Sequence, residues 1–323
     1  MTIDITLSIV LPVYREAEHI EHSLSVIRNV LVGLEVPFEI ICVDDGSPDA
    51  TWQAIRQASQ CIPEMRAIKF SRNFGKEGAV LAGLEASCGE AVIVMDCDLQ
   101  HPPEVIPEMF RLWQTGLYKV IDGVKEATNR RSPLGELGAR LFYSAFERLT
   151  KAELSNSSDF KLLDREVVNA YLVLRERRLF FRGIVSWMGF SHAQVRFNVA
   201  QRTAGTSKFS PIKLTHMAME ALVSFSSALL HCATLIGGLF FVFALAIGLH
   251  TSYLKITGRA VEGFTTVILI ELIVGSMVLL GLGVIGAYVG RIHEELKARP
   301  RYLIEDEFYR RQELRVQRVD RAA

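Results

Sequence analysis

Four short apolar runs in the N-terminal third constrain the fold most, because helical patterns separate them and polar residues follow each one. The runs extend over residues 7–13, 38–43, 66–70 and 92–95. The helical patterns lie at residues 18–31, 51–59 and 78–86. This alternation predicts an α/β fold in which a mostly parallel sheet carries helices on both faces. Ligands of such sheets bind beyond the carboxyl ends of the strands.

Polar side chains collect where these predicted strands end. They are Tyr14 and Glu16 after the first strand, Asp44 and Asp45 after the second, Ser71, Arg72 and Asn73 after the third, and Asp96, Asp98 and Gln100 after the fourth. A single acid after a strand is often only a helix cap, as we expect for Asp49. Four polar clusters at one edge of a sheet instead indicate a binding site.

The fourth cluster lies in the stretch V-I-V-M-D-C-D-L-Q-H-P-P-E, from Val92 to Glu104. If the strand end stays extended, Asp96, Asp98 and Gln100 share one face, and Cys97 faces away from them. Three hard oxygen ligands suit Mg²⁺ or Mn²⁺, which also bridge substrate phosphates. The alternative is a solvated turn with ordinary loop acids, since D-x-D is a short and common pattern.

Several polar residues further along the chain have two interpretations each. Arg130 and Arg131 can pair with phosphate oxygens or belong to a solvated loop. Arg202 and Lys208 lie at the two ends of a Gly/Thr/Ser-rich loop, which can close over a diphosphate or simply face solvent. Asp159, taken alone, is typical of a turn.

Two apolar segments, Leu229 to Leu254 and Thr265 to Val289, can each span a bilayer, which takes about 20 helical residues. Residues 134–149 and 211–226 carry apolar side chains at helical spacing, which is typical of a helix facing either a core or a membrane interface. Basic residues precede the first span and follow the second, so the N-terminal domain and the tail are predicted to be cytoplasmic.

The chain is therefore predicted to have five parts. They are a soluble domain (1–210), an amphipathic juxtamembrane helix (211–228), two transmembrane helices (229–254 and 265–289) and a cytoplasmic tail (290–323). Lys plus Arg and Asp plus Glu both number 36, so net charge gives no argument for a nucleic acid partner. The five cysteines show no zinc-site spacing and are expected to be reduced thiols.

Seven ordered motifs resemble those of family 2 glycosyltransferases, which have the Rossmann-like GT-A fold. They are P-V-Y-R-E, V-D-D-G-S-P-D, S-R-N-F-G-K-E, D-C-D-L-Q-H-P-P-E, S-D-F-K-L-L-D-R, R-T-A-G-T-S-K-F and G-R-I-H-E-E-L-K-A-R-P-R-Y. The narrower resemblance is to polyprenyl-phosphate glycosyltransferases similar to dolichyl-phosphate mannose synthase and bacterial bactoprenol glucosyltransferases. It covers almost the whole chain.

The resemblance implies an inverting transfer of a sugar from a nucleotide-sugar to polyprenyl phosphate, for cell-envelope glycan modification. It favours UDP-glucose as donor, with GDP-mannose as the alternative. It implies a multi-pass protein of the inner (plasma) membrane with the catalytic domain and both termini in the cytoplasm. It also favours a homotetramer.

The same resemblance assigns roles to individual residues. Those expected to bind the nucleotide-sugar are Pro12, Tyr14, Glu16, Asp44, Asp45, Asp96 and Gln100. Those expected to hold Mg²⁺ or Mn²⁺ are Asp96, Asp98 and Gln100. Asp98 and Asp159 are expected to be catalytic, with Asp159 as the candidate base beside the acceptor. The alternative role of Asp159 is to orient cations that bind the acceptor. Those expected to bind phosphate or acceptor are Arg130, Arg131, Lys161, Arg182, Arg202 and Lys208.

Two other functions compete with this interpretation. A processive polysaccharide synthase would show a Q-x-x-R-W motif and more spans, and the sequence shows neither. A non-catalytic membrane scaffold would bind a nucleotide or a partner through a decayed transferase domain. The presence of Asp96, Asp98, Gln100 and Asp159 argues against such decay.

Overall fold

A computed structural model of the chain describes residues 5–125, 157–174, 180–197, 228–258 and 263–309. These residues belong to two compact units. The first contains the described residues up to 197 together with 299–309, and the second contains 228–258 and 263–298.

The first unit alternates strands and helices in its N-terminal part, as the sequence predicts. Its strands are β1 (Leu7–Val13), β2 (Phe38–Asp44), β3 (Met65–Phe70), β4 (Ala91–Val94), β5 (Val120–Lys125), β6 (Ser157–Asp164), β7 (His192–Phe197) and β8 (Ile304–Tyr309). Its helices are α1 (Ile20–Val32), α2 (Thr51–Ala58), α3 (Lys76–Ala86), α4 (Ile106–Gln114), α5 (Arg165–Val173) and α6 (Phe181–Trp187).

The strands form one eight-stranded sheet in the order β7-β5-β6-β4-β1-β2-β3-β8. β1 pairs in parallel with β2 and β4, and β2 pairs in parallel with β3. β6 and β8 run antiparallel to their neighbours. The expected α/β fold with a mostly parallel, Rossmann-like sheet is therefore confirmed.

The core lies on both faces of the central strands. Every residue of β1 and β2 is buried, which explains why these strands are continuous apolar runs. Helix α1 buries Ile20, Leu24, Ile27 and Leu31, a spacing that places one apolar stripe against the sheet. Helix α3 packs so closely on β1 that a Cβ added at Gly83 would overlap a methyl carbon of Val10.

Two parts of the first unit differ from the sequence expectation. Ser157 to Lys161 belongs to strand β6, which lies between β4 and β5, and not to a polar turn. Residues 304–309 are not part of a separate tail, because they form β8 and pair with β3.

The pairing of β8 has a clear physical cause. Glu307 forms an ion pair with Arg66 at 2.5 Å, and Asp306 forms one with Arg56 at 2.6 Å. On the same edge the Phe308 ring lies 5.4 Å from the Trp52 ring. These partners are about 240 residues away in sequence, so local pattern could not reveal the strand.

The second unit consists of helices α7 (Ala228–Ile256) and α8 (Phe264–Leu296), which contact each other. Gly237–Leu254 and Ile273–Gly290 are long and apolar enough to cross a membrane. The two predicted apolar helices are therefore present, and α8 extends past the predicted end of its span. The predicted amphipathic helices at 134–149 and 211–226 lie outside the described residues.

We predict opposite effects for two glycine substitutions in α3. Gly83→Ala should destabilise the protein by about 1–3 kcal/mol, because its methyl group has no space against the buried Val10. Gly78→Ala should be neutral or stabilise by up to about 1 kcal/mol, because the nearest atom, in Phe74, would be 3.6 Å away and alanine favours a helix. Thermal unfolding of the full-length chain in detergent measures both, and equal Tm values would contradict the packing argument.

Candidate active site

The carboxyl ends of β1 to β4 bring the predicted polar clusters to one edge of the sheet. In the parallel pairing Val13 lies opposite Asp44, and Asp44 lies opposite Lys69, so these strands end together. Asp49 accepts a hydrogen bond from the Thr51 backbone at 3.2 Å, as expected of an acid at the start of α2. The edge therefore has the arrangement that the sequence indicated.

A cavity of about 330 Å³ opens at this edge. Its lining residues are Pro12, Val13, Tyr14, Asp45, Asn73, Gly75, Lys76 and Ala79. Pro12, Tyr14 and Asp45, which were expected to bind the nucleotide-sugar, thus lie around one cavity. Lys76 also lines it and was missed by the residue-level reasoning.

Asp45 holds the loop that forms one wall of this cavity. Its carboxylate accepts backbone N–H hydrogen bonds from Phe74 at 2.7 Å and Gly75 at 2.9 Å. Gly46 has a φ of +63°, and a Cβ there would overlap the Arg72 backbone. This close approach requires glycine, so the loops after β2 and β3 form one rigid wall.

Asp44 is fully buried beside that wall, and its two carboxylate oxygens differ. Oδ1 accepts a hydrogen bond from the Ser47 backbone at 3.1 Å. Oδ2 is buried and has no hydrogen-bond partner within the described part of the chain. Burial raises the pKa of Asp44 and that of Asp45. An unpaired buried acceptor is costly, so Oδ2 is suited to accept an N–H from a ligand.

Asp96, Asp98 and Gln100 do not lie on an extended strand end. β4 ends at Val94, and the following residues form a turn in which Leu99 has a φ of +55°. The Gln100 backbone N–H donates to Asp98 Oδ1 at 3.0 Å. The argument from alternating faces is therefore wrong for this segment, and a ligand role for Gln100 stays a prediction. Cys97 is buried, in agreement with a packing role.

The two aspartates of this turn create a negative field at the edge. Burial raises the pKa of Glu16, and the negative charge of Asp98 raises it further, with a smaller contribution from Asp96. Glu16, Asp96 and Asp98 therefore act on one another electrostatically. The Glu16 backbone N–H donates a hydrogen bond to the Thr51 hydroxyl at 3.0 Å, which fixes the loop after β1.

This donor set fits a divalent cation that is shared with a substrate. Among the described residues, no three His, Cys, Asp or Glu side chains form a cluster able to hold a metal alone. Mg²⁺ is commonly bound through one or two carboxylates and completes its shell with substrate phosphates and water. Asp96, which contacts the cavity residue Lys76, and Asp98 in the same turn supply such a pair.

A network of ionic hydrogen bonds joins Asp96 to Asp159. Lys76 Nζ lies 2.5 Å from Asp96 Oδ1 and 2.6 Å from Asp159 Oδ2. Arg182 binds Asp159 through two nitrogens, with Nε 2.5 Å from Oδ1 and Nη2 2.8 Å from Oδ2. The structure thus brings Asp159 and Arg182 together as expected, with Lys76 between them and the Asp96 turn.

These contacts keep Asp159 ionised. Burial alone would raise its pKa, but the Arg182 hydrogen bond and the charges of Lys76 and Arg182 outweigh that effect. The pKa of Asp159 therefore lies well below its usual range. A carboxylate with so low a pKa is a poor proton acceptor near neutral pH, so it is better suited to orienting cations.

Glu77, the neighbour of Lys76, was also missed by sequence reasoning. Its Oε2 accepts the Phe181 backbone N–H at 3.0 Å, which ties α3 to α6. Burial raises the pKa of Glu77 to about 7. Their place in the sequence could have indicated both residues, because Lys76 and Glu77 begin the helix that follows the loop after β3. Their contacts, however, are made only in the folded chain.

Lys161 was expected to bind the acceptor, but its side chain is buried within the sheet. Its side chain is 2% exposed and forms an ion pair with Asp122 on the neighbouring strand. Asp122 also contacts His192 Nδ1 at 2.7 Å. The Lys161 ammonium is therefore neutralised within the sheet, which corrects the expected acceptor role.

Four residues expected to bind phosphate or acceptor lie outside the described residues. They are Arg130, Arg131, Arg202 and Lys208. Their roles stay predictions.

Known proteins resemble this chain along nearly its whole length. The family profile "Glycosyl transferase family 2" matches residues 8–172. The "Uncharacterized glycosyltransferase sll0501" of Synechocystis sp. is 37% identical, with 95% of this chain and 96% of that protein covered. The "Bactoprenol glucosyl transferase" of Shigella phage SfV is 38% identical, with 93% and 98% covered.

A solved structure with a similar fold is glucosyl-3-phosphoglycerate synthase from Mycobacterium tuberculosis. It has a TM-score of 0.46 and 22% identity, and the match covers 68% of this chain and 77% of that one. A likeness of this size carries no functional inference. The profile match and the full-length relatives do, and they show that this chain is a glycosyltransferase belonging to glycosyl transferase family 2.

Proposed function

We propose that this enzyme transfers glucose from UDP-glucose to polyprenyl phosphate at the cytoplasmic face of the inner membrane. The observation that carries the proposal is the Lys76 bridge, which joins the acidic turn beside the donor cavity to the Asp159–Arg182 pair. One edge therefore offers a cavity for a nucleotide and, next to it, cations for a phosphate acceptor. Relatives named bactoprenol glucosyl transferase, similar over more than 90% of both chains, support the choice of sugar and acceptor.

The donor end is assigned to the cavity at the ends of β1, β2 and β3. Pro12, Tyr14 and Asp45 lie around this cavity. Asp44 is buried next to Asp45, and its Oδ2, which has no hydrogen-bond partner among the described residues, is proposed to accept an N–H from the base. Asp96 and Asp98 would hold a divalent cation on the diphosphate. When bound, Mg²⁺ or Mn²⁺ would offset the charge that develops on the leaving nucleoside diphosphate.

The acceptor end is assigned to Asp159 and Arg182. In the proposed inverting reaction, an acceptor phosphate oxygen forms a bond to the anomeric carbon while the bond from that carbon to UDP breaks on the opposite side. A phosphate monoester has a second pKa near 6, so the acceptor is largely dianionic at pH 7 and needs little deprotonation. Asp159 therefore acts by orienting Arg182 and Lys76, whose positive charges can hold the phosphate.

The same sheet supports the proposed membrane topology. If the two apolar helices cross the membrane, the pairing of β8 with β3 requires the segment after the second helix to lie on the same side as the catalytic unit. The basic residues that flank the spans support the cytoplasm as that side. A homotetramer stays a prediction from family resemblance.

The test of the proposal uses sealed membrane vesicles that contain the full-length chain. Inside-out vesicles given radiolabelled UDP-glucose should form a glucosylated polyprenyl-phosphate lipid, while sealed right-side-out vesicles should not. GDP-mannose and other nucleotide-sugars are supplied in parallel. Transfer from GDP-mannose but not from UDP-glucose would overturn the donor assignment. If none of the nucleotide-sugars gives a lipid product, the proposed function is wrong.

We predict that activity requires a divalent cation and the Asp98 carboxylate. Asp98→Ala should lower turnover by at least about 100-fold, because the diphosphate charge is then poorly compensated. Glu108→Ala, which removes an exposed acid on α4, is the matched control and should keep wild-type turnover. Full activity of the wild type in excess chelator would refute the metal assignment.

We predict that Asp159→Asn loses activity to a similar extent at every pH from about 6 to 9. The low pKa of Asp159 keeps it ionised over this range, so its own titration should leave no mark on the profile. A limb near pH 7 that disappears in Glu77→Gln is assigned to Glu77, because burial raises its pKa to about 7. The profile of kcat/KM gives the result, and recovery of Asp159→Asn to wild-type rates at pH 9 would identify a general base instead.

A further inference from the structure

Lys76 has an arrangement that the proposed reaction does not yet explain. Its ammonium contacts two carboxylates from different strand ends, Asp96 after β4 and Asp159 in β6. Its side chain is 41% exposed, whereas that of Asp159 is 10% exposed. Lys76 is therefore the more accessible member of the network and can reorient without unfolding the site.

The two contacts of Lys76 are not equivalent. Asp159 remains bound by two Arg182 nitrogens if Lys76 moves. Asp96 has no comparable second contact in the described part of the chain, because His101 Nδ1, 3.9 Å from that carboxylate, accepts the Asp96 backbone N–H at 3.2 Å and cannot also donate to the carboxylate. Releasing Asp96 thus leaves its charge available to another cation, while releasing Asp159 would not.

Asp96 is also one of the two carboxylates that fit a divalent cation. A positive ion and the Lys76 ammonium would then compete for the same oxygens, since like charges repel at contact distance. Lys76 lines the donor cavity as well, so an ammonium freed from Asp96 remains close to a bound diphosphate.

We propose that Lys76 is a positioning residue that exchanges partners during donor binding. In the donor-free enzyme it neutralises Asp96 and Asp159. With Asp96 engaged by a divalent cation, the Lys76 ammonium would keep its contact with Asp159 and would face the diphosphate of the donor. This inference rests on the proposed nucleotide-sugar donor and deepens it, because one side chain then links the donor and acceptor ends of the site.

The proposal predicts that removing the Lys76 charge changes the affinities for Mn²⁺ and for UDP in opposite directions. Lys76→Met keeps the length of the side chain and removes the charge. Mn²⁺ alone should bind the variant about three- to tenfold more tightly, because Asp96 has lost a competitor. UDP in the presence of chelator should bind about three- to tenfold more weakly, because the anion has lost a positive neighbour. A merely structural role would weaken both.

The experiment uses the purified full-length chain in detergent. Free Mn²⁺ is measured by electron paramagnetic resonance, and UDP binding with chelator is measured by calorimetry. Lys119→Met is the matched control, because Lys119 also bridges two acids, Asp164 and Glu166, each at 3.3 Å. That control should match the wild type in both titrations, and Lys76→Arg should lie between the wild type and Lys76→Met.

The outcomes separate this inference from the proposed function. The exchange role of Lys76 is wrong if Lys76→Met binds both Mn²⁺ and UDP more weakly than the wild type. It is also wrong if neither affinity changes. If the wild type fails to bind UDP even with Mn²⁺ present, the donor assignment is wrong, and the titration with Mn²⁺ alone still decides whether Lys76 competes for Asp96. Absence of Mn²⁺ binding in both proteins overturns the exchange as well.

Discussion

The parallel pairing of β1 with β2 and β4 is the constraint on which the rest of the catalytic unit depends. Parallel strands end at the same edge, so the loops after β1 to β4 must meet there. The pairing is stable because both faces are covered, which the fully buried β1 and β2 reflect. Close packing of α3 on β1, with glycine at position 83, then sets where Lys76 begins its helix.

Charge compensation determines how that edge works. Acids from separate loops meet there, and bringing them together out of water would be costly without cations. Lys76 and Arg182 supply the positive charge, and their contacts keep Asp159 ionised. Asp45 at the cavity and the neighbouring Asp44 have no such ion pair among the described residues, and burial raises the pKa of both. One edge thus combines acids without a cationic partner in the described part of the chain and acids compensated by cations.

The pairing of β8 with β3 returns the chain to the sheet after the two apolar helices. The ion pairs of Arg66 with Glu307 and Lys69 with Glu305 hold the last strand in register. Because the chain returns to the sheet after its apolar helices, those helices form an insertion within one folded unit.

The sequence by itself determined the α/β class, the polar strand ends and the two apolar helices, because each depends on the local period of apolar residues. It placed Asp45, Asp159 and Arg182 in one site only through family resemblance. The tertiary structure decided what local pattern cannot encode. It showed a turn at Asp96 to Gln100 where alternation predicted a shared strand face, and a buried Lys161–Asp122 pair in place of an acceptor ligand. It also revealed Lys76 and β8, because their partners are distant in sequence and meet only when the sheet is formed.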